Sequence, residues 1–246
     1  QGLKYFDIDV AEYLARVGYV GLAIDLYGNL VPANERTWPE DPDHIAAFQK
    51  KCFEAMVAID HDHKAFRALL NTWIEKGLQD PTVDAAFPPG AIGYCFGGMA
   101  VLECVRGGLN VGGVVSLHGL LQTGEDPSPA NFGVERPAVK PCDNVYNKNT
   151  IVVIENGADD HLVPDESKAR FFNEMDSAGV DWVFHHYAKT PHGFALPASL
   201  GPPGRLHVST DRRSTMNMLG LFREIFPGVP QNPVSHNASG TSIPVA

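Results

Sequence analysis

The sequence has little positive charge, no long apolar run and no internal repeat. Lysine and arginine number 19 against 29 aspartates and glutamates, so the formal charge is −10, and no basic run offsets it. Because such a chain repels phosphate backbones, we expect no nucleic-acid partner. No apolar stretch approaches the roughly 20 residues that a membrane span needs. We therefore expect no membrane partner either.

The sequence is also poor in cysteine, and its cysteines are scattered. Cys52, Cys95, Cys104 and Cys142 form no Cys-x-x-Cys pair and no dense framework. This pattern argues against a structural zinc site and favours a reducing, cytoplasmic compartment. We expect Cys52 and Cys142 to be free thiols and Cys104 to pack in the core. No secretory signal is visible, although the chain begins at Gln1 rather than at methionine.

What is present is the pattern of an α/β fold. Buried strands are predicted over 19–26, immediately before Gly93, and over 111–117, 150–155 and 181–187. Helices are predicted over 7–17, 43–76 (as two helices), 97–106, 165–178 and 210–226. Strands that alternate with helices indicate a largely parallel sheet with helices on both faces. The 246 residues divide into one domain over 1–226 and a Pro-, Asn-, Ser- and Gly-rich tail over 227–246.

One turn carries a recognisable chemical motif. The segment Gly93-Tyr94-Cys95-Phe96-Gly97 follows apolar residues and opens a helical pattern, as in a nucleophile elbow with cysteine in place of serine. Glycines permit the close backbone approach that such a turn requires, and the helix N-terminus favours a thiolate. A glycine-rich loop with a buried structural cysteine gives the same pattern. The motif alone leaves both interpretations open.

The order of downstream residues favours the catalytic interpretation. In parallel sheets the reactive groups gather at the carboxyl ends of strands, and three strands here end in Cys95, Asp159 or Asp160, and His192. Nucleophile, acid and base follow one another in the order of an α/β-hydrolase triad. The cysteine would attack a carbonyl, the histidine would move protons, and the carboxylate would orient the imidazole. The backbone N–H of Phe96 would supply one oxyanion-hole donor.

Other histidines have simpler interpretations. His61 and His63 lie two residues apart, so on a helix they share no face, and we expect a solvated surface rather than a metal site. The adjacent His185 and His186 point to opposite faces of a strand. His118 ends a strand, where lining the site and plain packing are equally open. His161 follows the predicted acid and is expected at its periphery or on the surface.

With these motifs in hand, the chain resembles the dienelactone hydrolase family over residues 1–226. The segments that carry the resemblance are 18–20, 25–28, 93–98, 116–119, 157–164, 191–194 and 212–214. The resemblance implies an α/β-hydrolase fold, no metal or organic cofactor, and a triad of Cys95, Asp160 and His192. It selects Asp160 over Asp159 because the acid of the family directly precedes the position of His161.

The chain departs from the family pattern at two places. Family members carry an earlier strand and a His-Glu-x-x-Gly-Leu turn, whose glutamate hydrogen-bonds the cysteine and whose backbone gives a second oxyanion donor. Here Gln1-Gly2-Leu3 matches only the end of that turn, so either the chain is a fragment or the site is incomplete. Family members also hold a substrate carboxylate with an arginine four residues after the histidine. Leu196 stands there, which implies a neutral or apolar ester or lactone.

The sequence therefore predicts a hydrolase that cleaves a small ester or lactone through a cysteinyl acyl-enzyme. A thioesterase or peptidase using the same three residues, and a non-catalytic binding protein that kept the fold, stay open as alternatives. The predicted pocket residues are Tyr94, His118, Phe194 and Leu196. Without the glutamate turn, Cys95 is expected to depend on His192 and the helix N-terminus and to be more fully ionised than in relatives. The oligomeric state is not predicted.

Overall fold

The computed structural model describes residues 2–36, 39, 41–122, 133–140, 142–197 and 205–229. Within these ranges it contains six α-helices: α1 (Tyr5–Arg16), α2 (Pro42–Asp60), α3 (His63–Leu78), α4 (Phe96–Arg106), α5 (Asp165–Ala178) and α6 (Val208–Ile225). Four strands form the sheet: β1 (Gly90–Tyr94), β2 (Gly113–Leu117), β3 (Ile151–Asp159) and β4 (Asp181–Pro191). Two short 3₁₀ helices, Gly28–Leu30 and Ala33–Glu35, lie between α1 and α2.

The four strands form one parallel sheet in the order β1-β2-β3-β4. Successive side chains of a strand point to opposite faces, and the sheet is buried on both. Val114 and Ile154 join the core beneath α2, α3, α4 and α5, whereas Val115 and Leu117 join the core beneath α1 and α6. The predicted α/β fold with a parallel sheet and helices on both faces is confirmed.

The prediction of a strand over residues 19–26 is wrong. The segment contains no strand and belongs to no ladder among the described residues, and Val20 and Leu22 are 53% and 54% exposed. A run of apolar residues predicts burial, but a strand also needs a neighbour that offers backbone hydrogen bonds. None of the four described strands supplies that neighbour.

Other elements differ from the predictions mainly in their ends. Strands β3 and β4 run four residues further than predicted, to Asp159 and Pro191, because each continues to pair with the other beyond its apolar run. The predicted long helical region is indeed two helices. His61 and His63 lie on either side of the junction between them. Asp62 caps the start of α3, because its carboxylate accepts the Ala65 N–H at 3.0 Å. The expected helix surface at this point is therefore a helix boundary.

The division into a domain and a tail stays a prediction. Helix α6 ends at Ile225, and residues 230–246 of the predicted tail lie outside the described residues. No helix in the described ranges combines the length and the apolar character needed to cross a bilayer.

Candidate active site

Cys95 lies at the sharp turn between β1 and α4. Its backbone has φ 54° and ψ −113°, a conformation that residues with a side chain rarely adopt. A Cβ on Gly93 would overlap the carbonyl oxygen of Gly97, so the strand and the helix meet too closely for any other residue there. The turn is pinned to the sheet because the Cys95 N–H donates to the Leu117 carbonyl at 3.2 Å.

Asp160 and His192 meet above the carboxyl ends of β3 and β4. His192 Nδ1 lies 2.9 Å from Asp160 Oδ2, and both residues are buried. The other oxygen, Asp160 Oδ1, accepts the Leu162 N–H at 2.9 Å, which fixes the orientation of the carboxylate. A Cβ on Gly157 would overlap the Thr190 carbonyl oxygen, so the turns that carry the acid and the imidazole are in direct contact. The geometry thus pairs His192 with Asp160, whereas Asp159 is exposed.

The third member of the predicted triad lies beside this pair. The Cys95 thiol and the His192 imidazole are close enough for each to shift the pKa of the other. Burial opposes ionisation of the thiol, but the charge and hydrogen bond of His192 outweigh it and lower the pKa of Cys95. Burial also opposes the imidazolium, but the Cys95 thiolate and the Asp160 carboxylate raise the pKa of His192 to about 10. The pair therefore favours thiolate and imidazolium over the neutral forms.

Phe96 places the first backbone donor of α4 beside the sulfur. Its amide helps to lower the pKa of the Cys95 thiol. Its ring is buried and stacks on Phe66, with centroids 5.5 Å apart. This packing fixes the first residue of the helix, so the amide keeps its direction toward the sulfur.

His118 follows β2 and lies beside His192 of the predicted triad. Its side chain is 0% exposed, and its ring centroid is 5.1 Å from that of His192. Burial holds the pKa of His118 well below its ordinary value, and the charge of His192 lowers it further. The sequence left open whether His118 lines the site or only packs. The structure shows that His118 contacts His192 of the predicted triad but has no exposed surface.

The other predicted pocket residues pack around His118 and the core beneath α1 and α6. Phe194 is fully buried with its ring edge-on to His118, and Tyr94 is partly buried with its ring edge-on to Phe6. Leu196 is partly buried and packs against the same core. These positions are close to the triad, but their contact with a substrate stays a prediction.

The remaining histidines lie at the periphery. His161 is exposed, and its ring centroid is 6.2 Å from that of His192. His185 Nδ1 lies 3.0 Å from the buried Glu155 carboxylate, whereas His186 stacks on Phe184. In the described part of the chain, no group of three or more His, Cys, Asp or Glu side chains could hold a metal ion.

The other cysteines differ from Cys95 in their surroundings. Cys104 is buried in α4, and burial raises the pKa of its thiol to about 12. Burial also raises the pKa of the Cys52 thiol. All four cysteines are free, as predicted for Cys52 and Cys142.

Two cations near the site escaped the sequence analysis. Burial lowers the pKa of Lys4 to about 8, while the nearby charges of Cys52, Asp7 and Cys95 oppose that shift. Arg205 lies within about 4 Å of the position that a Cβ on Gly193 would occupy, directly beside the His192 turn. Lys4 follows Gly2-Leu3 and so had a motif to mark it, whereas nothing in the sequence pattern marks Arg205.

Comparisons with known proteins identify the family of the chain. The model of the "Dienelactone hydrolase family" matches residues 1–226. An uncharacterized protein of Caenorhabditis elegans is 30% identical over 141 residues, which are 56% of this chain and 80% of that protein.

Solved structures give the same result. One is a dienelactone hydrolase-like promiscuous phosphotriesterase from metagenomic libraries, 29% identical with a TM-score of 0.52. That match covers 65% of this chain and 62% of the other, which is less than two thirds of its length. A protein from Klebsiella pneumoniae subsp. pneumoniae assigned to the dienelactone hydrolases shares the fold, with 17% identity and a TM-score of 0.59 over 91% of this chain and 82% of the other. The chain therefore belongs to the dienelactone hydrolase family, a family of carboxylic ester hydrolases.

Proposed function

We propose that the protein hydrolyses a small ester or lactone through a thioester formed on Cys95. The observation that carries this proposal is the convergence of three side chains: His192 Nδ1 lies 2.9 Å from Asp160 Oδ2, and the same imidazole lies beside Cys95 and lowers the pKa of its thiol. The three side chains come from the ends of three different strands. A structural cysteine in a glycine-rich loop needs no such arrangement, whereas a nucleophile does.

In the acylation step the Cys95 thiolate attacks the carbonyl carbon of the ester. The carbonyl oxygen becomes an oxyanion, and the Phe96 N–H at the start of α4 is placed to stabilise it. The His192 imidazolium gives its proton to the departing alkoxide, so an alcohol leaves and a thioester remains. Asp160 holds Nδ1 of His192, which directs the other ring nitrogen toward the sulfur and stabilises the cation before transfer.

In the second step a water molecule hydrolyses the thioester. His192 takes a proton from the water while the water oxygen bonds to the acyl carbon. The carbon–sulfur bond then breaks, the carboxylic acid leaves, and the Cys95 thiolate returns beside the His192 imidazolium. The same two groups thus serve both half-reactions.

The test is a pre-steady-state burst with p-nitrophenyl acetate. We expect the unmodified protein to release about one p-nitrophenolate per chain rapidly and then to turn over slowly, as an acyl-enzyme mechanism requires. Cys95→Ala should abolish the burst and the turnover. Cys142→Ala is the matched control, because Cys142 is also a half-buried free thiol and lies outside the triad. Turnover retained by Cys95→Ala would contradict the proposal.

Assays of the unmodified protein with different substrates then distinguish between the related activities. A panel of an acyl ester, a lactone, a thioester, a peptide amide and a phosphotriester separates an esterase from a thioesterase or peptidase. The phosphotriester is included because one similar structure is that of a promiscuous phosphotriesterase. A non-catalytic binding protein would turn over none of these substrates, and its Cys95 would react with iodoacetamide no faster than its other cysteines.

A further inference from the structure

His118 is a fully buried polar side chain for which packing alone gives no reason. Neither ring nitrogen has a hydrogen-bond partner among the described residues, although the side chain is 0% exposed. Buried polar atoms are usually paired, because an unpaired one loses its hydration without compensation. Phenylalanine would fill the same space without that cost. The histidine therefore points to a hydrogen-bonding molecule that enters the site.

The position of the ring shows where that molecule would lie. The His118 ring is edge-on to His192, at 5.1 Å between centroids and 70° between planes. It is held on its other sides by Phe194 and Tyr94, at 5.1 Å and 5.8 Å. The unpartnered nitrogens therefore belong to a ring that contacts His192 directly, and a water bonded to one of them would lie beside His192.

The backbone and the charge state agree with such a role. His118 has φ 38°, in the left-handed region, and its N–H donates to the Glu155 carbonyl at 2.8 Å. Strained residues of this kind are held in place where function requires a fixed direction. Since burial keeps the pKa of His118 well below its ordinary value, the imidazole is neutral and carries one donor and one acceptor nitrogen.

We propose that His118 binds, through its unpartnered ring nitrogens, the water that attacks the Cys95 thioester. This inference rests on the proposed function and concerns its second step only. The water donates one proton to His192 and adds its oxygen to the acyl carbon, while His118 holds it without gaining or losing a proton. The carbon–sulfur bond breaks, and the acid and the thiolate are released. His118 would thus control deacylation and not acylation.

The test separates the two half-reactions in His118→Phe, which keeps a packed ring and removes both nitrogens. With p-nitrophenyl acetate we expect the burst to stay within about threefold of the unmodified protein and the steady-state rate to fall about 100-fold. Acetylated Cys95 should accumulate in the mass spectrum. Hydroxylamine, which attacks the thioester without a bound water, should restore turnover. His186→Phe makes the same change at an exposed position of β4 and is the control.

Two results would overturn the proposal. One is a steady-state rate of His118→Phe within about twofold of the unmodified protein. The other is an equal fall of burst and steady state, which would assign His118 to packing alone. If His118→Phe fails to fold, His118→Gln and His118→Leu carry the comparison, because only the amide keeps a donor and an acceptor. Equal deacylation by these two variants would count against the proposal. Absence of a burst in the unmodified protein would refute the proposed function instead.

Discussion

At the scale of single residues, backbone strain is concentrated around the site. Cys95, His118 and Lys189 are the non-glycine residues with positive φ in the described part of the chain. Cys95 and His118 directly follow β1 and β2, and Lys189 lies three residues before His192. The glycines around Cys95 mark its strained position in the sequence, but nothing in the sequence marks the strain at His118 or Lys189. Their strain comes from tertiary contacts, which local sequence does not encode.

Asp160→Asn tests the role of the buried carboxylate. Asparagine keeps the shape but can present its amide to His192 Nδ1, which favours the wrong tautomer and removes the charge that stabilises the imidazolium. We expect kcat/KM for p-nitrophenyl acetate to fall by about 10³–10⁴. Asp159→Asn, one residue earlier and exposed, should leave kcat/KM unchanged. Equal losses in the two variants would argue against the pairing of Asp160 with His192.

The pH dependence of alkylation tests the ionised cysteine. The pKa of Cys95 is lowered in the folded protein, so its thiolate persists below the pH at which an ordinary thiol is protonated. Iodoacetamide should modify Cys95 with an apparent pKa below about 8.5, and the rate should fall only as the pH drops through that lowered value. Peptide mass spectrometry should find Cys52 and Cys104 unmodified at neutral pH, because burial raises the pKa of both. An apparent pKa at or above about 8.5 would refute this expectation.

At the scale of elements, α4 joins the site to a buried ion network. Cys95 precedes its first residue, and Glu103 and Arg106 lie in its last turn. The Glu103 carboxylate accepts from Arg67 Nε at 2.8 Å and from Arg106 NH1 at 3.1 Å, and it is 0% exposed. Arg106 also pairs with Glu174 of α5. Helices α3, α4 and α5 are therefore connected through an ion network with the fully buried Glu103 at its centre.

Glu103→Gln should destabilise the fold strongly. The substitution keeps the shape of the side chain but leaves two buried guanidinium groups short of a negative charge. We expect the free energy of unfolding, measured with urea, to fall by about 3 kcal/mol. Glu12→Gln breaks an exposed pair with Arg16 on α1 and should cost less than about 1 kcal/mol. Similar costs at both positions would show that the buried network contributes no more than a surface pair.

The sequence predicts an element correctly where the local residue pattern decides its structure. The prediction fails where the structure depends on pairing between strands. Helix α5 begins and ends where its apolar spacing and the following Gly179 predict. The run over 19–26 is apolar enough for a buried strand, yet it has no ladder partner in the described residues. Hydrogen-bonding partners lie far away in sequence, so composition cannot identify them.

At the scale of the whole molecule, the sheet explains why the site was predictable at all. In a parallel sheet every strand presents its carboxyl end at the same edge, so residues far apart in sequence converge. Cys95, His192 and an acid at Asp159 or Asp160 were predicted from their order and strand-end positions, and the family resemblance selected Asp160. The burial of His118 and the positions of Lys4 and Arg205 required three-dimensional structure. These features depend on side-chain packing between elements that the sequence pattern does not relate.

Removal of the predicted tail tests the boundary of the domain. Among the described residues, both core clusters are formed by residues up to Phe226, so we expect the packing beneath α6 to persist without residues 230–246. A chain ending at residue 229 should keep its burst with p-nitrophenyl acetate and change its melting temperature by less than about 2 °C. A chain ending at residue 207, which lacks α6 and the core beneath it, should not fold. A large loss of stability in the longer chain would place part of the domain within 230–246.

Helix α4 also limits how this protein can evolve. Ten of its eleven residues are buried, and the remaining one, Gly97, belongs to the elbow. Almost every substitution along the helix therefore changes the packing of the core and lowers the stability of the fold. We therefore expect few substitutions in α4 to be tolerated. Adaptation to a new ester must then come from the loops that follow the strands, where side chains can vary without disturbing the packing. The helix that begins beside Cys95 therefore belongs to the part of the described chain that is least free to change.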